Sequence, residues 1–374
     1  MVLYGKNIRC TIILILLLCS KFVFAQNTKP AYNYTLGTNL FYGFIYMHSP
    51  EIGHLITSHP KGFELYINKH TYGHKSWESL FNYPDIGFSL GYYDFGNPVL
   101  GKTLSGISYF DFYLNKTRPS PHNFKIRIGV GLGYNTNPYN ASTNNKNNVL
   151  STSFTFALQT RLTYEFNSRN NWKFSIAPNI THFSNGAVRK PNKGINILSM
   201  EFGVGKRIGY TDISYQSIPA GLQSETDKNF HYNISVFTGL KENKVGAGLY
   251  PFFTLSNYID KSLNTKSAIN AGIDLFYSVA LKDEIENDDT FTDGNAPDFK
   301  RIGLTLGHEL FISRISILVQ LGYYVYRPYK AVKPIYQRYG LKIYTNNNKL
   351  FFAINLKTHG GVAEMAELGI GTRL

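Results

Sequence analysis

The chain has little cysteine and no long apolar run outside its first 25 residues. The chain has 374 residues, and its two cysteines, Cys10 and Cys19, both lie among the first 25. No disulfide framework is therefore indicated. Beyond it no run of 18 or more apolar residues occurs, which excludes a helical membrane span. The histidines show no metal-ligand spacing, and no phosphate-binding glycine loop or nucleic-acid motif is present. We therefore expect neither a metal nor a cofactor.

Residues 1–25 have the layout of a secretory signal peptide. Lys6 and Arg9 precede an apolar run, and the small residue Ala25 stands at the expected cleavage site. Removal of this segment would leave a mature chain, 26–374, whose formal charge falls from +14 to +11 because three basic residues are lost. This basic balance suits an anionic membrane surface better than a nucleic acid.

Long segments of the remaining chain alternate between apolar and polar side chains. From Phe124 to Tyr134 the even positions are apolar and the odd positions are lysine, arginine or glycine, and 152–166 repeats the pattern. Successive side chains of a strand point to opposite faces, so each segment has one apolar and one polar face. This is typical of an outer-membrane strand, which is apolar toward lipid and polar toward the lumen.

The same pattern recurs along the chain and predicts an all-β fold, an antiparallel transmembrane β-barrel over 26–374. Bacterial single-chain barrels have an even number of strands, and short segments such as 208–217 are compatible with strand or turn. We predict about 14 strands, with roughly 12 to 16 as the range. The candidate strands are 36–47, 61–70, 85–95, 102–115, 123–134, 152–166, 172–184, 197–207, 230–240, 247–257, 266–280, 300–311, 314–326, 335–344, 349–357 and 365–374.

A soluble secreted β-protein is an alternative to the membrane barrel, because the strands of a sandwich alternate as well. A sandwich rarely needs about 350 residues without cysteine and with so many strands. The aromatic content of 15% also favours the barrel, since tyrosine and tryptophan collect where lipid meets water. We expect the bacterial outer membrane as the location.

A histidine and a serine stand two residues apart at the end of the strand that begins at Trp172. By parity His182 and Ser184 share its apolar face, which points toward lipid in a membrane barrel. Residues i and i+2 on one strand face are about 6.6 to 7 Å apart at Cα, so the imidazole can reach the hydroxyl. Pro178 lacks an amide hydrogen and should interrupt the ladder below them. A base and a hydroxyl in this place suggest an esterase working on a lipid.

Two short motifs surround this pair: His-x-Ser-Asn at 182–185 and Pro-Asn-x-Gly-Ile at 191–195. They resemble the lipid A 3-O-deacylase family, outer-membrane β-barrel esterases also labelled acyloxyacyl hydrolases. The wider context, including 307–309 and 323–326, is similar to the longer members of that family. The resemblance implies a serine-type carboxylic ester hydrolase that removes an ester-linked fatty acyl chain from the lipid A of lipopolysaccharide.

Carried over residue by residue, the resemblance implies roles for five positions. Ser184 would be the nucleophile and His182 the general base, while Asn192 and the backbone around Ala187 would stabilise the oxyanion. The family's third catalytic residue is a glutamate, and Asn196 stands at that position here. A carboxylate orients the imidazole and stabilises its cation, whereas an amide can only orient the ring. Activity is therefore weakened, or another acid serves.

Other acids near these elements can be placed by parity. Glu201 and Glu309 fall on the polar faces of their strands, so we expect them in the lumen beside arginine or lysine. Asn196 therefore remains the choice for the third role. A catalytically inactive barrel, serving as a porin or a surface scaffold, is the alternative function, and it gains weight from Asn196.

Three cations follow the pair in the next loop, namely Arg189, Lys190 and Lys193. They could bind the phosphates of a lipopolysaccharide head group, although any single one is more readily a solvated rim charge. Three such charges in one loop favour substrate binding. The sequence leaves open which acyl chain is cut, whether the lumen is open and the oligomeric state.

Overall fold

The computed structural model describes residues 33–209, 214–216, 227, 229–291 and 295–374. The predicted signal segment 1–25 and part of the 208–217 segment lie outside the described residues. The first half of the chain forms β1 (Tyr34–Ile45), β2 (Lys61–Lys69), β3 (Asp85–Asp94), β4 (Lys102–Tyr113), β5 (His122–Asn135), β6 (Phe154–Asn167), β7 (Trp172–Ser184) and β8 (Ile195–Ile208).

In the described ranges the second half contributes eight more strands and the longer of two α-helices. These strands are β9 (Phe230–Lys241), β10 (Tyr250–Asn264), β11 (Ser267–Ser278), β12 (Arg301–Ile312), β13 (Ile315–Tyr326), β14 (Ile335–Tyr344), β15 (Leu350–His359) and β16 (Val362–Arg373). The helices are α1 (Ser76–Leu80) and α2 (Val279–Glu286), and a 3₁₀ helix spans Pro50–Leu55. None of the helices in the described ranges is long and apolar enough to cross a membrane.

The strands close into two antiparallel barrels of eight. In the N-terminal barrel each strand pairs with its neighbour in sequence, and β8 returns to β1, with Gly37 opposite Gly205. In the C-terminal barrel β16 closes on β9, with Ile370 opposite Val236. Consecutive antiparallel strands need only short connections, which is why sequence order and spatial order agree.

The predicted all-β class with antiparallel barrel strands is confirmed, and every candidate segment overlaps a strand. The described residues form 16 strands, at the upper end of the predicted range of roughly 12 to 16. The expectation of one barrel over 26–374 needs correction, because these strands form two closed barrels. Alternation assigns each side chain to a face of its own strand. It does not show which strand β8 pairs with. Because β8 pairs with β1 rather than with β9, the strands form two separate barrels.

The outer wall of each barrel is apolar and its lumen is polar. On β7 the alternation is plain, since Trp172, Phe174 and Ile180 are exposed on the outer wall whereas Lys173 and Thr181 are buried inside. Exposed leucine, isoleucine, valine, phenylalanine and tyrosine continue this apolar surface around both barrels. A soluble protein rarely exposes a continuous apolar surface of this extent, and the pattern is that of a lipid-facing wall.

Ion pairs fill the lumen of the N-terminal barrel. Arg161 contacts both Glu64, at 2.9 Å, and Glu201, at 2.6 Å, and all three side chains are buried. Arg127 is bonded to Asp111 at 2.7 Å in the same network. Buried charges are tolerated only when they are paired, so these contacts hold opposite walls of the barrel together. The predicted lumen position of Glu201, beside an arginine, is confirmed.

The C-terminal barrel is filled in the same way. Arg338 lies between Asp274, at 2.7 Å, and Glu367, at 2.9 Å. Lys342 contacts Glu309 at 2.8 Å, which confirms the predicted lumen position of Glu309. Both lumens are therefore occupied by side chains of the described strands.

Four connections meet at one end of the N-terminal barrel, because each follows an odd-numbered strand of an antiparallel sheet. They are 46–60, 95–101, 136–153 and 185–194. Apolar side chains of the first three connections pack in a common cluster that includes Ile52, Leu55, Leu100, Val149 and Leu150, together with Ile195 at the start of β8. The last connection is tied to the third by backbone bonds from Lys193 to Asn148 and from Gly194 to Val149, both 3.1 Å. The residues singled out in the sequence lie at this same end of the barrel.

Candidate active site

The end of β7 carries the predicted pair on the outer wall of the N-terminal barrel. His182 lies directly opposite Asn196 of β8, so the antiparallel register places both on the same face. On the other side of β7 the ladder to β6 is interrupted between Asn179 and Ile176, where Pro178 has no amide hydrogen to donate. The predicted interruption at Pro178 is confirmed.

Three predicted residues form a continuous chain of hydrogen bonds. The Oγ of Ser184 is 3.0 Å from Nε2 of His182, and Nδ1 of His182 is 2.7 Å from Oδ1 of Asn196. Ser184 is buried, while His182 is half-buried. A hydroxyl, an imidazole and an oriented acceptor in this order are the parts needed to activate a serine for acyl transfer.

Backbone donors follow immediately after Ser184. Gly186 and Ala187 have successive positive φ angles of 65° and 67°, an uncommon conformation for alanine. Within the described residues neither of their backbone N–H groups donates a hydrogen bond. Asn192 accepts a bond from the Asn185 N–H at 3.1 Å, which fixes the start of the turn. The turn thus offers unpaired donors beside the hydroxyl, as an oxyanion site requires.

Gly194 closes the site from the other side of the loop. Its φ is +71°, and a Cβ atom at this position would lie 2.8 Å from Cε1 of His182 and 3.3 Å from Cβ of Ser184. A glycine is required here both by the backbone conformation and by the close approach to the imidazole.

The three cations of the loop are placed differently from one another. Lys193 forms an ion pair with Glu51 at 2.5 Å, and both side chains are largely exposed. Lys190 is half-buried, and this burial, together with repulsion from Lys193, lowers the pKa of its amine. Arg189 is exposed and has no acidic partner among the described residues. Of the three, Arg189 is the cation most available to an anionic ligand.

Sequence reasoning missed His48, in the connection after β1. Its Nδ1 accepts a hydrogen bond from Nδ2 of Asn196 at 3.1 Å, and its Nε2 lies 3.0 Å from the carbonyl oxygen of Lys193. His48 and Asn196 are far apart in the chain, and His48 stands in a loop-like sequence without a motif, so no local signal marks it. In the described part of the chain no group of three or more histidine, cysteine or acidic side chains could hold a metal.

A second serine–histidine contact lies on the outer wall of the C-terminal barrel. Ser267 Oγ is 2.5 Å from Nε2 of His308. No hydrogen-bond partner for Nδ1 of His308 is found among the described residues. This pair has the residue types of the first site without the orienting amide, and it serves below as a matched control.

The fold and this arrangement define an antiparallel β-barrel protein with a serine–imidazole–amide chain on its outer wall. The chain belongs to the lipid A 3-O-deacylase family. The family model of lipid A 3-O-deacylase (PagL) matches residues 61–205, and that of the acyloxyacyl hydrolase C-terminal domain matches residues 230–374. These two ranges lie almost wholly in the N-terminal and C-terminal barrels, respectively. The resemblance stated from the sequence is confirmed.

The solved structures that are similar to this chain include a bacterial porin. A triple mutant of the Rhodopseudomonas blastica porin is 7% identical, with a TM-score of 0.17, over 92% of this chain and 100% of that chain. OccAB3 of Acinetobacter baumannii is also 7% identical, with a TM-score of 0.22, over 92% of this chain and 99% of that one. At such scores the description of the fold rests on the strand pairing alone. No curated protein matches the chain.

Proposed function

We propose that this protein is an outer-membrane esterase that removes an ester-linked fatty acyl chain from lipid A by a serine mechanism. The observation that carries the proposal is the hydrogen-bond chain from Ser184 through His182 to Asn196 on the outer wall of a barrel. Family membership supports lipid A as the substrate and an ester bond as the target. The apolar outer walls support the outer membrane as the location.

The proposed reaction begins with proton transfer from Ser184 to Nε2 of His182. The freed Oγ attacks the carbonyl carbon of the acyl chain, and the negative charge that develops on the carbonyl oxygen is met by the N–H groups after Ser184 and by Asn192. The sugar alkoxide leaves as it takes the proton from the imidazolium. A water molecule, deprotonated by His182, then hydrolyses the acyl-enzyme and regenerates Ser184.

Asn196 performs part of the role that a glutamate has in the family. Its oxygen accepts the Nδ1–H of His182 and so holds the ring in the tautomer whose Nε2 is free to accept a proton. An amide carries no charge and stabilises the imidazolium less than a carboxylate does. We therefore propose a slower enzyme of the same mechanism.

The site's surroundings fit a lipid whose head group is anionic. The scissile ester would reach Ser184 along the apolar wall formed by neighbours such as Leu158 and Ile180, both exposed. The lipid A phosphates would lie at the barrel end, where Arg189 is exposed and Lys190 and Lys193 stand nearby. Arg189 is proposed as the main phosphate contact because Lys193 is already paired with Glu51.

Mass spectrometry of lipid A tests the proposal directly. Incubation with the purified full-length protein in detergent micelles is expected to lower the mass of lipid A by one ester-linked acyl chain and to release the matching fatty acid. Lipid A stripped of its ester-linked chains by mild base is the substrate control and should give no product. Unchanged lipid A, together with permeable liposomes in a swelling assay, would favour the porin alternative.

A further inference from the structure

A single line of hydrogen bonds joins Ser184 to a backbone carbonyl beyond the predicted residues. The line runs from Ser184 to His182 at 3.0 Å, to Asn196 at 2.7 Å, to His48 at 3.1 Å and to the carbonyl oxygen of Lys193 at 3.0 Å. Its last member is part of the main chain and can only accept. Starting from this carbonyl oxygen, the donor and the acceptor of each bond in the line can be assigned in turn.

The proton positions can be read one bond at a time. Because the Lys193 carbonyl accepts, Nε2 of His48 must carry hydrogen, and the Nδ1 of a neutral His48 is then a bare acceptor. The carbonyl oxygen of Tyr46 also lies 3.4 Å from this Nδ1, but two acceptors form no hydrogen bond, so the shorter 3.1 Å contact with Asn196 is the one that Nδ1 makes. Only the amide nitrogen of Asn196 can donate to that acceptor, so the amide oxygen faces His182. Nδ1 of His182 therefore carries hydrogen, and its Nε2 is free to take the proton of Ser184.

We propose that His48 is a positioning residue for the esterase reaction, because it decides which end of the Asn196 amide faces His182. If the amide turned over, its nitrogen would donate to Nδ1 of His182, and the ring hydrogen would move to Nε2. His182 could then no longer accept the proton of Ser184. This inference rests on the proposed function, and it assigns to Asn196 and His48 together the orienting role of one carboxylate.

The backbone around His48 holds the ring in place. Tyr46 donates its N–H to the carbonyl oxygen of Asn196 at 2.9 Å, and His48 donates its own N–H to Tyr46 at 3.0 Å. The 3₁₀ helix Pro50–Leu55 follows, with Ile52 and Leu55 buried in the cluster of the barrel end. His48 is thus attached to the same β8 residue whose amide it orients.

A double-mutant cycle with Asn196→Asp tests this role. His48→Ala is expected to lower kcat about tenfold, with KM little changed, because one orienting hydrogen bond is lost. In the Asn196→Asp background the same substitution should change kcat less than about twofold, since both oxygens of a carboxylate accept and no orientation has to be selected. His54→Ala is the matched control, because His54 also binds a loop carbonyl, that of Lys146 at 2.8 Å, without reaching Asn196.

Ring ¹⁵N shifts of the histidines in the micelle-bound protein give a readout that does not need turnover. His182 should carry its hydrogen on Nδ1 in the wild type and as a mixture of tautomers in His48→Ala. An equal loss of kcat in both backgrounds, or an unchanged tautomer, would overturn the role of His48. A wild type with the expected tautomer but no deacylation would count against the proposed function, while the orientation of the Asn196 amide by His48 would stand.

A separate contact links the C-terminal barrel to the turn that follows Ser184. Glu242, just after β9, is buried, and its carboxylate accepts the N–H of Lys190 at 2.6 Å. Its own N–H donates to the carbonyl oxygen of Val188 at 3.1 Å. The loop of the first barrel is therefore held on both sides of Arg189 by one residue of the second.

The outer wall of β16 touches the same turn. Going along this face toward the site, the exposed fraction falls from 61% at Ile370 and 53% at Leu368 to 8% at Ala366. A Cβ atom built on Gly186 would lie 2.8 Å from Cβ of Ala366, so the turn and β16 are in close contact there. The second barrel covers the segment that carries the proposed oxyanion donors.

We infer that Glu242 is a positioning residue through which the C-terminal barrel holds the oxyanion turn. Glu242→Ala is expected to lower kcat about tenfold with KM little changed. Glu242→Gln has one oxygen for the Lys190 N–H and gives up the bond from the Gly246 N–H, so it should stay within about threefold of wild type. Glu286→Ala is the control, because this exposed carboxylate lies on α2 and pairs only with Lys282 within the described residues.

Hydrogen–deuterium exchange of the Lys190 amide supplies the independent readout. Its protection should fall in Glu242→Ala and persist in Glu242→Gln and Glu286→Ala. Wild-type kcat and wild-type protection in Glu242→Ala would overturn the inference. If the wild-type protein shows no deacylation but Glu242→Ala still loses protection at Lys190, the contact would stand and the proposed function would be wrong.

Discussion

Replacing Ser184 by alanine is expected to abolish release of fatty acid from lipid A, with kcat reduced by at least about 10³-fold. The variant keeps the proposed oxyanion donors and the imidazole but has no oxygen to form the acyl-enzyme. The small residual rate would come from substrate binding and from water activated by His182. The measurement is initial-rate fatty acid release by mass spectrometry, with saturating lipid A in detergent micelles.

Ser267→Ala is the matched control for this substitution. It removes a hydroxyl that also contacts an imidazole on an outer barrel wall, but that imidazole has no orienting amide among the described residues. We expect wild-type rates for Ser267→Ala and a folded barrel, by far-UV circular dichroism, for both variants. If Ser184→Ala deacylates as fast as the parent, the nucleophile is another residue and the proposed mechanism is wrong.

Gly194→Ala is expected to lower kcat by about 100-fold, the second largest effect. The new methyl group would lie 2.8 Å from Cε1 of His182, closer than carbon atoms pack, so the imidazole has to move. That shift lengthens the bonds from His182 to both Ser184 and Asn196. Substitution also places alanine at a φ of +71°, which costs about 1 kcal/mol or more of backbone strain.

Gly360→Ala separates the backbone strain from the displacement of the imidazole. Gly360 has a similar φ, +60°, at the β15–β16 turn, and a Cβ atom there would meet nothing within 4 Å. The control should therefore lose some stability to thermal unfolding but keep its kcat. Equal rates for Gly194→Ala and Gly360→Ala would show that the approach of Gly194 to His182 is unimportant for the chemistry.

Several features of the site could be predicted because they depend on neighbours along one strand. Parity from Trp172 to Ile180 places His182 and Ser184 on the outer wall, and the structure brings their side chains within hydrogen-bond distance. The short connection between β7 and β8 also returns Asn196 opposite His182. The catalytic roles of these residues remain predictions, which Ser184→Ala and the cycle with Asn196→Asp address.

Other features could not be predicted because they depend on contacts between distant parts of the chain. His48 reaches Asn196 only because β1 pairs with β8, a closure that no local pattern encodes. Glu242 meets Lys190 only because a second barrel packs against the loop of the first. Both residues stand in sequence without alternation or motif, so neither could be distinguished from an ordinary loop side chain.

The amino-acid sequence by itself determined the strand segments, the apolar outer wall, the polar lumens and the position of the serine–histidine pair. These follow from a two-residue period that each strand carries within itself. Tertiary structure decided that the 16 strands of the described ranges close as two barrels of eight, and that His48 and Glu242 join the site. The physical reason is that the edges of β1, β8, β9 and β16 all expose the same backbone N–H and C=O groups. No single strand therefore specifies which of these edges it pairs with when the sheet closes.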